Sequence, residues 1–205
     1  MSAMSIAAVR QVISASIAVK QAVLADEILL GQVVRVSQVI EAALRAGNKV
    51  MLAGNGGSAA DAQHLAAEFV SRFEFDRPGL ASIALNTDTS MLTAIGNDYG
   101  YDHVFARQVE ANGRAGDVFI GISTSGNSKN VLRAVDACKA GGIVTVALCG
   151  SAGRLREVCD HVLAVPSTHT PRIQESHIVL GHAICGLVED AIWGASHAPA
   201  RAGNA

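Results

Sequence analysis

The stretch 52-LAGNGGSAADAQHLAAEF-69 places a glycine-rich turn directly after an apolar run and directly before a segment with helical spacing. A short β-branched run, a glycine turn and a helix in that order form a strand-loop-helix unit of an α/β domain. Three such units share the pattern of Gly54 and its neighbours: a dinucleotide loop, a phosphate cradle, or a turn next to a metal site. Gly54, Gly56 and Ala59 satisfy the loose GxGxxA pattern. A dinucleotide fold also needs an acidic residue at the end of a second strand about 20 positions on. Here Glu74 and Asp76 instead follow the helix and precede Arg77, Pro78 and Gly79. A nucleoside triphosphate loop is excluded because no glycine is followed by Lys and then Ser or Thr. What remains is a turn whose backbone amides at Gly56 and Gly57, with the Asn55 and Ser58 side chains, can meet a polar ligand at a helix N-terminus. On its own it would read equally well as a tight turn with Ser58 as N-cap.

Working outward, "KVMLAG", "DVFIGIS", "IVTVALCG" and "HVLAVP" are short apolar strands separated by helix-like stretches. That alternation predicts a mostly parallel sheet covered by helices, and ligands then bind at the carboxyl ends of the strands. Residues 6 to 46 read as two helices with a polar break at Ala25, Asp26 and Glu27, ended by Gly47. A last amphipathic helix is expected from Pro171 to about Trp193, and residues 195 to 205 read as a disordered tail. The 205 residues form one domain without an internal repeat or linker.

Composition narrows the function classes. Lys and Arg number 16 against 18 Asp and Glu, with no basic run, which argues against a nucleic-acid track or an anionic membrane surface. The first 30 residues are interrupted by Arg10, Lys20 and several Gln and Ser, unlike a signal peptide or a span. Cys138, Cys149, Cys159 and Cys185 make no CxxC pair and read as reduced thiols of a cytoplasmic protein.

A second loop, Ser123, Thr124, Ser125, Gly126, Asn127 and Ser128, follows "DVFIGIS" and opens another helix. Converging hydroxyls at the positive end of a helix suit a phosphate monoester without a buried lysine. His64 and Glu68 are one helical turn apart, with Arg72 continuing the row. His182 sits in the apolar stretch "VLGHAICGLV", where an imidazole needs a partner. His64, Glu68, His182 and the carbonyl oxygen of Gln174 make a nitrogen and oxygen set suited to zinc. Gln174 and His182 are eight apart, ~12 Å along an unbroken helix. Such a spacing requires either a helix that starts late or ligands shared between subunits, and it leaves His177 as a rival ligand.

Together, "LAGNGGSAADAQHLAAEFVSRF", "AIGNDYGYDHVFARQVEA", "GDVFIGISTSGNS" and "RIQESHIVLGHAICGLVE" resemble the bacterial phosphoheptose isomerases, a branch of the sugar isomerase (SIS) domain proteins, up to about Gly194. The resemblance implies a three-layer α/β fold with a five-stranded parallel sheet, N-terminal helices used in oligomerisation, and a homotetramer with active sites at subunit interfaces. It also implies one zinc ion per subunit, held by His64, Glu68, Gln174 and His182, so that His182 takes precedence over His177. Ser123, Thr124, Ser125 and Ser128 match the family's phosphate loop. Asn55, Gly56, Gly57, Ser58, Arg72, Asn97 and Asp98 match positions near the sugar chain.

The implied reaction converts sedoheptulose 7-phosphate to D-glycero-D-manno-heptose 7-phosphate, the first committed step towards the heptoses of lipopolysaccharide and some capsules. Interconverting ketose and aldose moves a proton between C1 and C2, for which Glu68 is the expected base and His182 the expected acid. One departure concerns "STHTPRIQE": relatives tend to carry an acidic residue near His169, so the lip of the pocket differs here. "HVFARQVEA" and "ALNTD" also resemble replication initiator-associating proteins of the same fold, the alternative reading, but those relatives lack the full metal set. A sugar-phosphate sensor would bring a DNA-binding module, and the first 48 residues have few basic side chains for one.

Overall fold

The computed structural model describes residues 4–197. Two helices, α1 (Ile6–Leu24) and α2 (Glu27–Arg45), lead into β1 (Val50–Gly54) and α3 (Gly57–Val70). Then come β2 (Ser82–Ala84), α4 (Thr89–Tyr99), a 3-10 turn (Tyr101–His103), α5 (Ala106–Asn112) and β3 (Val118–Ser123). The chain finishes with α6 (Lys129–Ala140), β4 (Val144–Cys149), α7 (Leu155–Val158), β5 (His161–Ala164) and α8 (Thr170–His197).

The polar break between α1 and α2 acts as expected, since Asp26 caps α2 by accepting from the Leu29 amide at 3.0 Å. At the other end Gly47 takes φ +78°, and the Asn48 amide reaches back to the Ala43 carbonyl at 2.9 Å. That 6→1 bond is the usual way a glycine satisfies a helix's last carbonyls.

All five strands are parallel, in the order β2-β1-β3-β4-β5. Successive side chains alternate between two cores. On one face Val50, Leu52, Val118, Ile120, Ile122, Val146 and Leu148 pack against α2, α3 and α8. On the other, Met51, Ala53, Phe119, Ala147 and Cys149 pack against α5, α6 and α7. The result is the three-layer arrangement. Strand β2 lacks a sequence signal because it has three residues and sits at the sheet edge, with Ile83 partly exposed.

Chain order reverses between β1 and β3, so the loops following these two strands lie at the topological switch point, where open parallel sheets bind ligands. The loops are those singled out from sequence. Helix α8 extends four residues beyond Trp193, so residues 195–197 are helical rather than a disordered tail. Gly194, Ala195 and Ser196 are small, as in the predicted tail, but a helix already docked along α2 and α3 propagates at little cost. The remainder of the predicted tail lies outside the described residues.

Helices α1 and α8 are both long and apolar enough to cross a membrane by length and composition. Much of α8's apolar surface is taken by the core, including Ile173, Leu180, Ile184 and Val188. Helix α1 leaves Ile6, Val9, Val12, Ile13 and Ile17 exposed. Three of the four cysteines are buried and Cys159 is half-buried, all as free thiols. Burial pushes Cys138, Cys159 and Cys185 up to about 12, so none carries appreciable thiolate near neutrality.

Candidate active site

Helices α3 and α8 run side by side in the same direction. Gly181 on α8 packs against Leu65, where a Cβ would lie 2.6 Å from the leucine methyls. One position on, His182 Nε2 meets His64 Nε2 at 2.9 Å. Glu68 Oε1 lies 3.2 Å from the same His64 nitrogen. One ligand atom from each of the three falls within 4.8 Å of the others. Two imidazole nitrogens that face each other share at most one proton when neutral, whereas both lone pairs can face one cation. Two nitrogens and a carboxylate oxygen are the donors a zinc-type ion prefers, so the residues fit the implied metal. Phe73 closes one side, its ring centroid 5.4 Å from that of His182. The His64 side chain is 49% exposed, so in the single chain the cluster opens to solvent.

His177 is not part of this cluster. It is fully buried on the far side of α8, near the end of β4, where its ring has no well-formed hydrogen bond and only the Cys149 backbone close by. Burial drives its pKa down to about 4, only partly opposed by the backbone of Cys149.

Helix α8 begins at Thr170, so Gln174 lies inside it, and the late-starting helix considered above is not found. Pro171 is tolerated because it sits in the first turn. The Gln174 amide donates to Asp61 Oδ1 at 3.3 Å and rests on Gly57, where a Cβ would fall 2.5 Å from Nε2. Gln174 thus packs about one turn before His64 along the α3 and α8 seam. Asp61, which sequence reasoning did not single out, is buried there with Oδ2 unpaired. Burial raises its pKa, opposed by the Gln174 bond and by His64. The signal was present: Asp61, His64 and Glu68 recur at three and four along one helix face.

The loop after β1 is built as a glycine turn. Gly56 takes φ +57° and ψ −121°, open to glycine alone, and it is Gly56 rather than Ser58 that occupies the cap position. Ser58 lies one position into α3, buried against Gly54. Asn55 pairs reciprocally with Asn130 of α6, each amide nitrogen donating to the other's oxygen at 2.9 Å. Tyr101 adds a third bond to Asn55 Oδ1 at 3.1 Å. Asn130 and Tyr101 were both missed from sequence, because only the fold brings α6 and the 3-10 turn to the β1 loop.

In the second loop the hydroxyls converge as expected. Ser123 Oγ lies 2.9 Å from Ser128 Oγ and 3.4 Å from Ser125 Oγ. The Asn127 amide donates to Ser125 Oγ at 3.2 Å. Gly126 has φ +67° and packs on Gly153, so that a Cβ would meet the Ala152 carbonyl at 2.6 Å. Ser128 stands at the cap of α6 without bonding its amides, leaving the helix N-terminus available to an anion. Thr124 belongs to the same turn, its carbonyl accepting from Gly150 at 3.2 Å.

Three residues matched by resemblance do not join the cluster in one chain. Arg72 falls beyond the end of α3, exposed, so it does not continue the helical row. Asn97 and Asp98 are exposed in the last turn of α4, where Asn97 Nδ2 donates to Asp98 Oδ1 at 2.8 Å. His169 is exposed just before α8, and its amide donates to Ser167.

Residues 13–150 match the SIS domain family. A phosphoheptose isomerase from Aneurinibacillus thermoaerophilus is 62% identical over 182 residues, 88% of this chain and 92% of its own length. Phosphoheptose isomerase 2 of Campylobacter jejuni is 61% identical over 180 residues, covering 87% and 90% of the two chains. Among solved structures, the phosphoheptose isomerase of Neisseria gonorrhoeae superposes with a TM-score of 0.83 at 47% identity, covering 89% of this chain and 97% of the other. With the sheet order, the two switch-point loops and the helical histidine pair all in place, this chain belongs to the phosphoheptose isomerase branch of the SIS-domain family.

Proposed function

We propose that this protein is an aldose-ketose isomerase that converts sedoheptulose 7-phosphate to D-glycero-D-manno-heptose 7-phosphate in nucleotide-heptose biosynthesis. The observation that carries the reading is the meeting of His64, Glu68 and His182 on the seam beside the switch-point loops, in a chain with this kinship. The Ser123, Thr124, Ser125 and Ser128 loop takes the phosphate through hydroxyls and the α6 N-terminus. The sugar chain then runs towards α3, past Asn55, Gly56, Gly57 and Ser58.

Glu68 removes a proton from C1, giving an enediol, and the proton returns at C2 to form the aldose. His182 moves the matching proton between the two oxygens. His64, Glu68, Gln174 and His182 would hold a zinc ion, which would supply Lewis-acid stabilisation to the oxygen that becomes negative. Glu68 cannot be a tight ligand and a free base at once, so its carboxylate serves the two roles in alternation.

The exposed apolar residues of α1 and the open side of the cluster support a homotetramer with sites completed at subunit contacts. Arg72, Asn97 and Asp98, which do not reach the cluster in one chain, fit such a shared site. The substrate is a small sugar phosphate, and we place the enzyme in the cytoplasm. The named relatives favour the isomerase over the initiator-binding alternative.

The test is NMR of the zinc-loaded protein with sedoheptulose 7-phosphate in deuterated water. Aldose product carrying deuterium at C2 is the expected result. Folded, metal-loaded protein that yields neither product nor exchange overturns the isomerase reading and turns attention to a protein partner.

A further inference from the structure

Asp61 is a buried carboxylate whose surroundings serve no evident packing purpose. It is 7% exposed, one of its oxygens is unpaired, and the other accepts a single bond, from Gln174 Nε2. A buried acid this poorly satisfied costs stability, so its presence calls for a role. It stands on α3 three residues before His64, ~4.5 Å along the axis, between that histidine and Gln174.

The chemistry of the pair is directional. A primary amide offers a donor end and an acceptor end, and left alone it can turn either way. An ionised carboxylate only accepts, so it selects the amide nitrogen and leaves the oxygen to face elsewhere. Gln174 Oε1 makes no hydrogen bond among the described residues, and Gly57 removes the Cβ that would otherwise push the amide off its seat.

We propose that Asp61 is a positioning residue which commits the Gln174 amide nitrogen to itself, so that Gln174 presents its oxygen, the only end able to bind a cation. This rests on the reading above that Gln174 is a metal ligand. Partners of this kind, one bond behind a ligand, set ligand orientation and hence metal affinity.

The experiment is a zinc titration against a chromophoric chelator, with circular dichroism to verify the fold. It compares the unaltered protein, Gln174→Ala, Asp61→Asn, Gln174→Glu and the double variant Asp61→Asn/Gln174→Glu. Asparagine can offer either end to the glutamine, so Asp61→Asn is expected to weaken zinc binding about 10- to 100-fold. Gln174→Glu sets two carboxylates against each other and is expected to bind poorly as well. The double variant restores one donor facing one acceptor with the polarity reversed, and an oxygen again faces the ion. It is expected to recover most of the affinity lost in Asp61→Asn, which a merely structural carboxylate would not produce. If Asp61→Asn fails to fold, Asp61→Ala takes its place, since it removes an under-satisfied buried acid.

Unchanged zinc affinity in Asp61→Asn, with Gln174→Ala impaired, overturns the proposal and leaves the ligand reading standing. A double variant no better than Asp61→Asn also overturns it. Unchanged affinity in Gln174→Ala overturns the ligand reading itself, and the proposal with it.

Discussion

Arg77 and Glu189 form an ion pair sealed from water, Nε to Oε1 at 2.8 Å, with the two side chains 1% and 0% exposed. The rest of the guanidinium donates to the carbonyls of Glu68, Phe69 and Pro78, and Glu189 also accepts from the Phe73 and Glu74 amides. The pair therefore caps the C-terminus of α3, where a cation is favoured, and ties it to α8 seven residues beyond His182.

Removing one partner strands a charge in the core. Glu189→Leu should lower unfolding free energy by about 3 to 5 kcal/mol, whereas Arg77→Met/Glu189→Leu should recover much of the loss. Urea denaturation of the single and double variants checks this. Equal losses in both would mean that the bonds to backbone, rather than the pair, carry the effect.

Gly57 is the seat of Gln174, and a methyl there would lie 2.5 Å from the amide nitrogen. Gly57→Ala should leave the protein folded, because alanine is the better helix former, but displace the glutamine. Turnover is expected to fall about 10- to 100-fold, the usual cost of a misplaced group at a reacting centre. Steady-state kinetics beside a melting curve separates the two effects.

His177 makes stability depend on pH with a defined sign. Its folded pKa, about 4, lies below the ordinary 6.5, so between these values the unfolded chain binds a proton that the folded one refuses. Stability is then complete above pH 6.5 and is lost as pH falls towards 4, by about 3 kcal/mol in all. His177→Leu should flatten this part of the stability profile, as read from denaturation midpoints across that range.

The Ser123, Ser125 and Ser128 hydroxyls converge without a lysine among them. Ser125→Ala should raise KM about tenfold or more and leave kcat nearly unchanged, because phosphate is held equally in ground and transition states. A fall in kcat at constant KM would tell against that loop as the phosphate seat.

What the chain reveals before folding follows from where each signal is stored. The β1 and β3 strands, both switch-point loops, and the His64 and Glu68 spacing are written in consecutive residues, so periodicity and turn chemistry suffice to find them. Strand β2 is too short to show a period, and it owes its place to pairing with β1. Asn130 and Tyr101 acquire meaning only when α6 and the 3-10 turn come together at Asn55. His182 and His177 sit on one helix in similar apolar company. Only packing against α3 distinguishes the half-buried partner of His64 from the imidazole sealed under β4. Asp61 was visible on the helix face that carries His64, but a lone acid one turn upstream has no motif of its own.

The reciprocal Asn55 and Asn130 amides tie the loop after β1 to the first turn of α6, which the second switch-point loop opens, one bond in each direction. Since β1 and β3 are neighbours in the sheet, the spacing between the loops is inherited from the strand repeat, ~4.8 Å, rather than from adjustable side chains. The protein accordingly carries a fixed ruler. A ligand that bridges the two loops meets a separation set by backbone hydrogen bonds of the sheet, which no change of side-chain rotamer can alter.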